Sequence, residues 1–131
     1  MITAEGSDLI LIVPPVSKTV VDALAANGAP ILLDQMNERL AAMGHPVFNF
    51  HDPTALDSSE CEFLDGFHGG RVTYLRMLQA ILRSGKTNLA SYVDSGEIDR
   101  LIADNTGHAM LKTDFRPGEP ETDFLDLGCK K

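Results

Sequence analysis

A continuous apolar run, ended abruptly by two prolines, sets the strongest limit on the fold of this chain. Residues 9–13 read Leu-Ile-Leu-Ile-Val, and Pro14 and Pro15 follow directly. An uninterrupted run of this kind suits a strand that is covered on both faces, as in a parallel sheet, whereas a half-exposed strand would alternate. Neither proline can donate to a strand ladder, so the strand must end there. The sequence therefore predicts a buried strand over residues 8–13.

Two helical patterns and a second strand follow the prolines. The first helix opens at residue 17 or 18 and closes before Gly28, and the second begins near Pro30 and stops at Gly44. Apolar residues recur at three- and four-residue steps in both helices. Residues 46–50, Pro-Val-Phe-Asn-Phe, then read as a short aromatic strand. A strand, a helical crossover and a second strand form a right-handed parallel unit in nearly all proteins, so the predicted fold class is α/β.

A glycine-bracketed loop before the next helix carries the candidate chemistry. Residues 63–70 read Phe-Leu-Asp-Gly-Phe-His-Gly-Gly, and an apolar helical pattern covers residues 71–83. Asp65 can accept a hydrogen bond from one imidazole nitrogen of His68 and leave the other nitrogen free to take a proton. This is the orienting half of a Ser-His-Asp system. The alternative is structural, with Asp65 capping the loop and His68 packing near the core.

Three segments are expected to meet at one edge of the sheet. Ligand sites in parallel sheets lie beyond the carboxyl ends of the strands. Residues 14–17, residues 51–52 and the 65–68 loop would all gather there. Ser17 follows a strand and opens a helix, which makes it the candidate nucleophile within the chain. Cys61 could also serve His68 as a nucleophile, but a small buried residue or an incidental surface thiol is the simpler interpretation.

Composition and charge exclude several classes of function. The formal net charge is −8, and no Lys/Arg-rich stripe with interleaved aromatics is present, so we expect no nucleic-acid partner. No apolar run approaches the roughly 20 residues that span a bilayer. The start of the sequence has neither a basic segment nor an apolar segment of the kind found in signal peptides. Taken as it stands, the chain is expected in the cytoplasm. A fragment of a membrane-anchored envelope protein would instead lie outside it.

Metal, cofactor and disulfide signals are weak. His45, His51, Asp52 and His68 lack metal-ligand spacing, so we expect no metal, and Asp52 is expected to cap a turn. The sequence has no dinucleotide fingerprint or P-loop, so no cofactor is expected, and the Gly-Gly pair before residue 71 is expected to permit a close backbone turn. The two cysteines, at positions 61 and 129, are expected to be free thiols, with a disulfide to the tail as the alternative.

The remaining chain is expected to add one helix and an irregular tail. Asp94 and Glu97 resemble a capping box before an apolar helical pattern. Acidic residues at 57–62 are interpreted as solvated surface. We expect one α/β domain over residues 1–111 and an irregular acidic tail over residues 112–131.

The order of these segments resembles the C-terminal half of an SGNH (GDSL-type) hydrolase. The likeness rests on Ile-Val-Pro-Pro-Val at residues 12–16, Val-Phe-Asn-Phe at 47–50 and Asp-Gly-Phe-His at 65–68. It is strongest to the DltD-type branch, which acts in D-alanylation of lipoteichoic acid, and it covers residues 8–84. The resemblance implies a three-layer, flavodoxin-like fold of which this chain holds a partial parallel sheet. It also implies that His68 is the general base and Asp65 its orienting partner.

One departure from the family limits the expected activity. The nucleophilic serine and oxyanion donors of that family lie upstream of the part represented here. The sequence therefore predicts an esterase or acyltransferase module, inactive alone, whose serine comes from an upstream domain or a second copy of the chain. The substrate would be a small ester or an envelope component. The alternative is a non-catalytic α/β domain that self-associates or binds a partner, and a weaker third reading is a small-ligand binding module.

Overall fold

This computed structural model describes residues 9–28, 30–114, 121, 123 and 126–129. Within these ranges the chain forms two short parallel strands and four α-helices, joined by loops and short 3-10 helices. Strand β1 (Leu11–Val13) pairs with β2 (Val47–Asn49), with Ile12 opposite Phe48. The crossover between them contains α1 (Lys18–Ala26) and α2 (Pro30–Ala41). The prediction of an α/β class with a parallel strand pair is confirmed.

Both strands are shorter than predicted, because prolines limit the ladder at both ends. Pro46 accepts a hydrogen bond from Leu11 N but has no N–H to extend the ladder in the other direction. Pro15, the next residue after Val13 in the donor register of β1, has none either. The expectation that β1 is covered on both faces is wrong at its centre. The Ile12 side chain is 45% exposed, because none of the described residues covers that face at this position.

The core lies between β2 and the third helix, α3 (Arg71–Arg83). The rings of Phe48 and Phe50 stack with their centroids 6.2 Å apart. They pack with Leu56, Met77 and Ile81 into one buried cluster. The apolar face of α3 that the three- and four-residue spacing predicts is therefore the face that packs against the sheet.

Helix α4 (Ser95–Asn105) packs beside α3 and completes the described core. Asp94 caps it, since its Oδ1 accepts from Gly96 N at 2.9 Å and Glu97 N at 3.1 Å. Ile98 and Ile102 are buried against the neighbouring helix. The cap predicted at Asp94 is confirmed.

The prediction of two free thiols is wrong, because Cys61 and Cys129 form a disulfide with their Cα atoms 5.6 Å apart. The pairing joins positions 68 residues apart, so sequence spacing could not show that the tail returns to this turn. Glu121 is also held, by Met110 N at 2.7 Å. Of the predicted tail, residues 115–120, 122, 124–125 and 130–131 lie outside the described residues. Within the described ranges, no helix has the length and apolar character needed to cross a membrane.

Candidate acid–base site

The loop that carries Asp65 and His68 is closed at its base by backbone hydrogen bonds. Phe63 and Gly69 form an antiparallel bridge, and Leu64 N donates to His68 O at 2.9 Å. One step further out, Gly70 N donates to Glu62 O at 2.8 Å. These backbone hydrogen bonds therefore fix both ends of the five-residue loop 64–68.

Asp65 organises the loop with both carboxylate oxygens. Its Oδ1 accepts from the backbone N–H groups of Phe67 and His68, both at 2.7 Å. Its Oδ2 lies 2.8 Å from His68 Nδ1. These contacts, the His68 ring first and the Phe67 N–H second, lower the pKa of the Asp65 carboxyl. The carboxylate therefore stays ionised and can hold the imidazole through Nδ1.

The His68 ring is open on the side away from Asp65. Its side chain is 71% exposed, and no hydrogen bond to Nε2 occurs among the described residues. With the proton on Nδ1, Nε2 is an acceptor that can take a proton from a reacting hydroxyl. Phe67, the preceding residue in the loop, is also exposed, at 65%.

The structure places Ser17 next to this loop but in a structural role. Its backbone N–H donates to Gly66 O at 2.9 Å, and its Oγ accepts from Val20 N at 3.3 Å. The residue has no exposed surface. Ser17 is thus the cap of α1, and attack on a substrate would require its hydroxyl to leave that cap.

The three segments expected at the strand ends do meet. Val16 N donates to His51 O at 3.2 Å, which joins the end of β1 to the segment that follows β2. Ser17 N reaches the 65–68 loop through Gly66. Asp52 caps the turn Pro53–Leu56 as predicted, with Thr54 N donating to it at 2.9 Å. Geometry of the parallel pair therefore brings the candidate loop to the carboxyl end of the sheet.

Glu62 anchors the base of the loop, and the solvated environment predicted for it is wrong. It belongs to the acidic stretch that was interpreted as solvated surface, yet its side chain has no exposed area. Arg76 of α3 binds it through two contacts, Nε to Oε2 at 2.8 Å and Nη2 to Oε1 at 2.9 Å. Gly107 N and Ser58 Oγ also donate to it, at 3.0 and 2.9 Å.

This satisfied environment offsets the cost of burying the carboxylate. A signal for it was present in the sequence. Arg76 lies one helical turn from Thr73 and beside Met77, on the face of α3 that is otherwise buried. A charged residue within an apolar stripe indicates a buried partner.

Two glycines allow the backbone to approach closely around the loop. A Cβ atom at Gly70 would lie 2.1 Å from the backbone oxygen of Ala109, and one at Gly66 would lie 2.9 Å from Val20 Cγ2. The turn expected at the Gly-Gly pair is wrong: Gly69 lies in the bridge to Phe63 and Gly70 is extended, with φ −77° and ψ 180°, so what glycine permits here is the close approach of Gly70 to the Ala109 backbone. Among the described residues, no group of three or more His, Cys, Asp or Glu is placed to hold a metal ion.

The fold and site together define a mixed α/β protein with a loop-borne Asp-His pair at the end of a parallel strand pair. No family model matches the chain, and comparison with curated proteins and with solved structures also finds no match.

Proposed function

We propose that this chain is an SGNH-like esterase or acyltransferase module in which His68 is the general base and Asp65 orients it. The observation that supports the proposal best is the 2.8 Å contact between Asp65 Oδ2 and His68 Nδ1, beside an exposed ring. The same proposal takes the two-stranded sheet as part of a larger three-layer sheet.

The chemistry is acyl transfer in two half-reactions. His68 Nε2 removes the proton from a serine hydroxyl as the oxygen attacks the ester carbonyl, and the imidazolium then returns that proton to the leaving alkoxide. An acyl-serine forms and an alcohol leaves. In the second half, His68 deprotonates the acceptor hydroxyl or a water as it attacks the acyl-serine. The bond from the acyl carbon to the serine oxygen breaks, and the imidazolium returns the proton to that oxygen. Asp65 stays ionised throughout and stabilises the imidazolium.

The serine is assigned to an upstream segment or a second copy of the chain. Ser17, the candidate within the described residues, is buried and caps α1. The isolated chain is therefore expected to have little esterase activity, limited to slow hydrolysis of activated esters by the imidazole itself. A small ester or an envelope component is the proposed substrate.

The Cys61–Cys129 disulfide supports a location outside the cytoplasm. Disulfides persist in oxidising compartments and are rare where glutathione and thioredoxin keep thiols reduced. Of the two locations that the sequence left open, the extracytoplasmic one is the proposal.

A second candidate function is non-catalytic association. Ile12 is 45% exposed at the centre of β1. Among the described residues each strand of the two-stranded sheet also has an unpaired edge, and such edges favour pairing with another chain. Light scattering that shows a concentration-dependent dimer, with no role for His68 in any turnover, would favour this alternative.

Slow hydrolysis of p-nitrophenyl acetate tests the acid–base assignment without the serine. An oriented imidazole should raise the rate above buffer, and His68→Ala and Asp65→Asn should remove the increase while His45→Ala keeps it. Equal rates for the unchanged chain and His68→Ala would overturn the assignment. A fluorophosphonate probe should label no serine in the pure chain. A labelled serine would overturn the assignment of the nucleophile to an upstream segment or a second copy.

A further inference from the structure

Gly66 is the buried point of a loop whose other residues reach solvent. Its neighbours Asp65 and Phe67 are partly exposed and exposed, respectively, whereas Gly66 itself is buried. The N-terminal turn of α1 lies against it, and Ser17, the cap of that helix, donates its N–H to Gly66 O at 2.9 Å. The acid–base side chains therefore project from a backbone that another helix holds at its centre.

The side chain of Val20 fills the space beside Gly66. A Cβ atom at position 66 would lie 2.9 Å from Val20 Cγ2 and 3.8 Å from Ser17 Oγ, and apart from its sequence neighbours it would meet no other part of the described chain within 4 Å. Gly66 is not among the glycines with a positive φ, so alanine could adopt its backbone conformation. Space therefore requires glycine at this position, and Val20 sets the limit.

The hydrogen bonds that Asp65 makes enclose residue 66. Its Oδ1 accepts from Phe67 N and His68 N, both at 2.7 Å, and its Oδ2 lies 2.8 Å from His68 Nδ1. Each of these contacts closes a ring of atoms that includes the backbone of Gly66. A shift of that backbone therefore changes the distance and the angle between the carboxylate and the imidazole, on which a hydrogen bond depends steeply.

The turn of α1 that carries Val20 is also fixed from a second direction. Thr19 N donates to Glu60 Oε1 at 2.8 Å, and Ser17 Oγ accepts from Val20 N at 3.3 Å. Glu60 belongs to the short 3-10 helix Glu60–Glu62 at the base of the same loop. This turn is thus joined to both the centre and the base of the loop, and a movement of Val20 away from Gly66 would have to stretch one of these hydrogen bonds.

We propose that Val20 is a positioning residue for the acid–base pair, because its packing against Gly66 keeps the Asp65 carboxylate directed at His68 Nδ1. Val20 acts through the loop backbone and not on a reacting atom. The inference rests on the acid–base function proposed above and adds to it a residue from a different helix. A contact of merely structural value would contribute to stability and leave the His68 ring unaffected.

The fraction of His68 rings that carry the proton on Nδ1 measures this positioning directly. Long-range nitrogen NMR of the full chain at mildly alkaline pH gives the fraction. Gly66→Ala, which forces a methyl group against Val20, and Val20→Ala, which withdraws the packing, should each lower it. Gly66→Ala should also slow the His68-dependent hydrolysis of p-nitrophenyl acetate about tenfold or more. An unchanged fraction in either variant would overturn the proposal.

Exchange of a methyl group across the contact separates positioning from general damage to the fold. Adding Val20→Ala to Gly66→Ala should restore the Nδ1–H fraction and the rate, because the new Cβ then occupies the space that Cγ2 leaves. Val21→Ala, at an equally half-buried position on α1, is the matched control and should restore neither.

Equal restoration by Val21→Ala, or a double variant with Val20→Ala that is no better than Gly66→Ala, would contradict the contact. Should Gly66→Ala fail to fold by circular dichroism, Val20→Ala must restore the fold together with the Nδ1–H fraction, and any other result overturns the proposal.

Failure of the positioning role is distinguishable from failure of the acid–base function. Equal hydrolysis by the unchanged chain and His68→Ala overturns that function, and the NMR comparison still decides the role of Val20. A His68-dependent rate together with an Nδ1–H fraction that does not respond to Gly66→Ala keeps the function and overturns the positioning role.

Discussion

Glu62 and Arg76 form a two-contact ion pair inside the protein, and through it α3 fixes the base of the loop that carries the acid–base pair. The neighbouring residues strengthen this attachment. Glu60 Oε1 accepts from Thr19 N at 2.8 Å, and Cys61 joins the tail through the disulfide. Three consecutive residues thus connect the base of the loop to α1, the tail and α3.

Removing Glu62 should destabilise the whole protein. Glu62→Ala removes both short contacts of the Arg76 guanidinium, which is 10% exposed, and leaves it the longer ones to Thr106 Oγ1 at 3.5 Å and Asp57 Oδ2 at 4.0 Å. Such a loss costs about 3 kcal/mol or more. Urea unfolding followed by circular dichroism measures this change. The exposed Glu38→Ala on α2 is the control and should change the free energy of unfolding by less than about 0.5 kcal/mol. Similar values for the two variants would contradict the role of the buried pair.

Loss of the disulfide should lower stability without changing the fold of the core. The chain-entropy model gives about 4 kcal/mol for a loop of this length, although engineered cases often yield less. Unfolding of the Cys61→Ser/Cys129→Ser variant measures the loss. A reducing agent should lower the midpoint of the unchanged protein and leave that of the variant alone. Insensitivity of the unchanged protein to reductant would show that the bond is absent or contributes nothing.

Gly70→Ala should be costly because backbone, not a mobile side chain, occupies the space. The new Cβ would meet the Ala109 oxygen at 2.1 Å, so one of the two segments must move, at a cost of about 2 kcal/mol or more. Gly96→Ala is the control, since its nearest neighbour is the Asp94 carboxylate at 3.3 Å and alanine favours a helix. Comparison of thermal midpoints tests the difference. A midpoint for Gly70→Ala equal to that of the control would be inconsistent with the close approach.

The Asp65 carboxyl should titrate at a lower pH than an ordinary aspartate. Its folded-state pKa is lowered, so its contribution to stability is present above the unfolded-state pKa and is lost as pH falls through the folded-state pKa. The contribution is small because the side chain is 44% exposed. Carbon-detected NMR of the carboxyl gives the midpoint. His68→Ala should raise it and His45→Ala should not, and an unchanged midpoint in His68→Ala would contradict the hydrogen bond.

Sequence patterns predicted the positions of the strands and helices better than the burial and pairing of individual side chains. The apolar run before Pro14, the glycine stops and the cap at Asp94 were sufficient to place the strand pair and the helices, because these signals are local. The burial of Glu62 and the pairing of Cys61 were missed, since both depend on partners that are distant in sequence. The exposure of Ile12 was missed for a related reason: a run of apolar residues does not state what packs against it.

Local spacing was also sufficient to bring Asp65 and His68 into contact, because residues three apart in a tight loop can meet without help from the rest of the fold. The position of that loop at the strand ends followed from the parallel crossover. The contact of Val20 with Gly66 could not be read from the sequence, because the two residues are distant in the chain and no local pattern specifies how α1 packs against the loop.

The protonation state of the His68 ring tests the central claim most directly. Long-range nitrogen NMR at mildly alkaline pH distinguishes the two neutral tautomers of an imidazole. The account predicts that the proton is on Nδ1, donated to Asp65, and that Asp65→Asn shifts the population toward the Nε2–H form. A ring that carries its proton on Nε2 in the unchanged protein, with no response to Asp65→Asn, would contradict it.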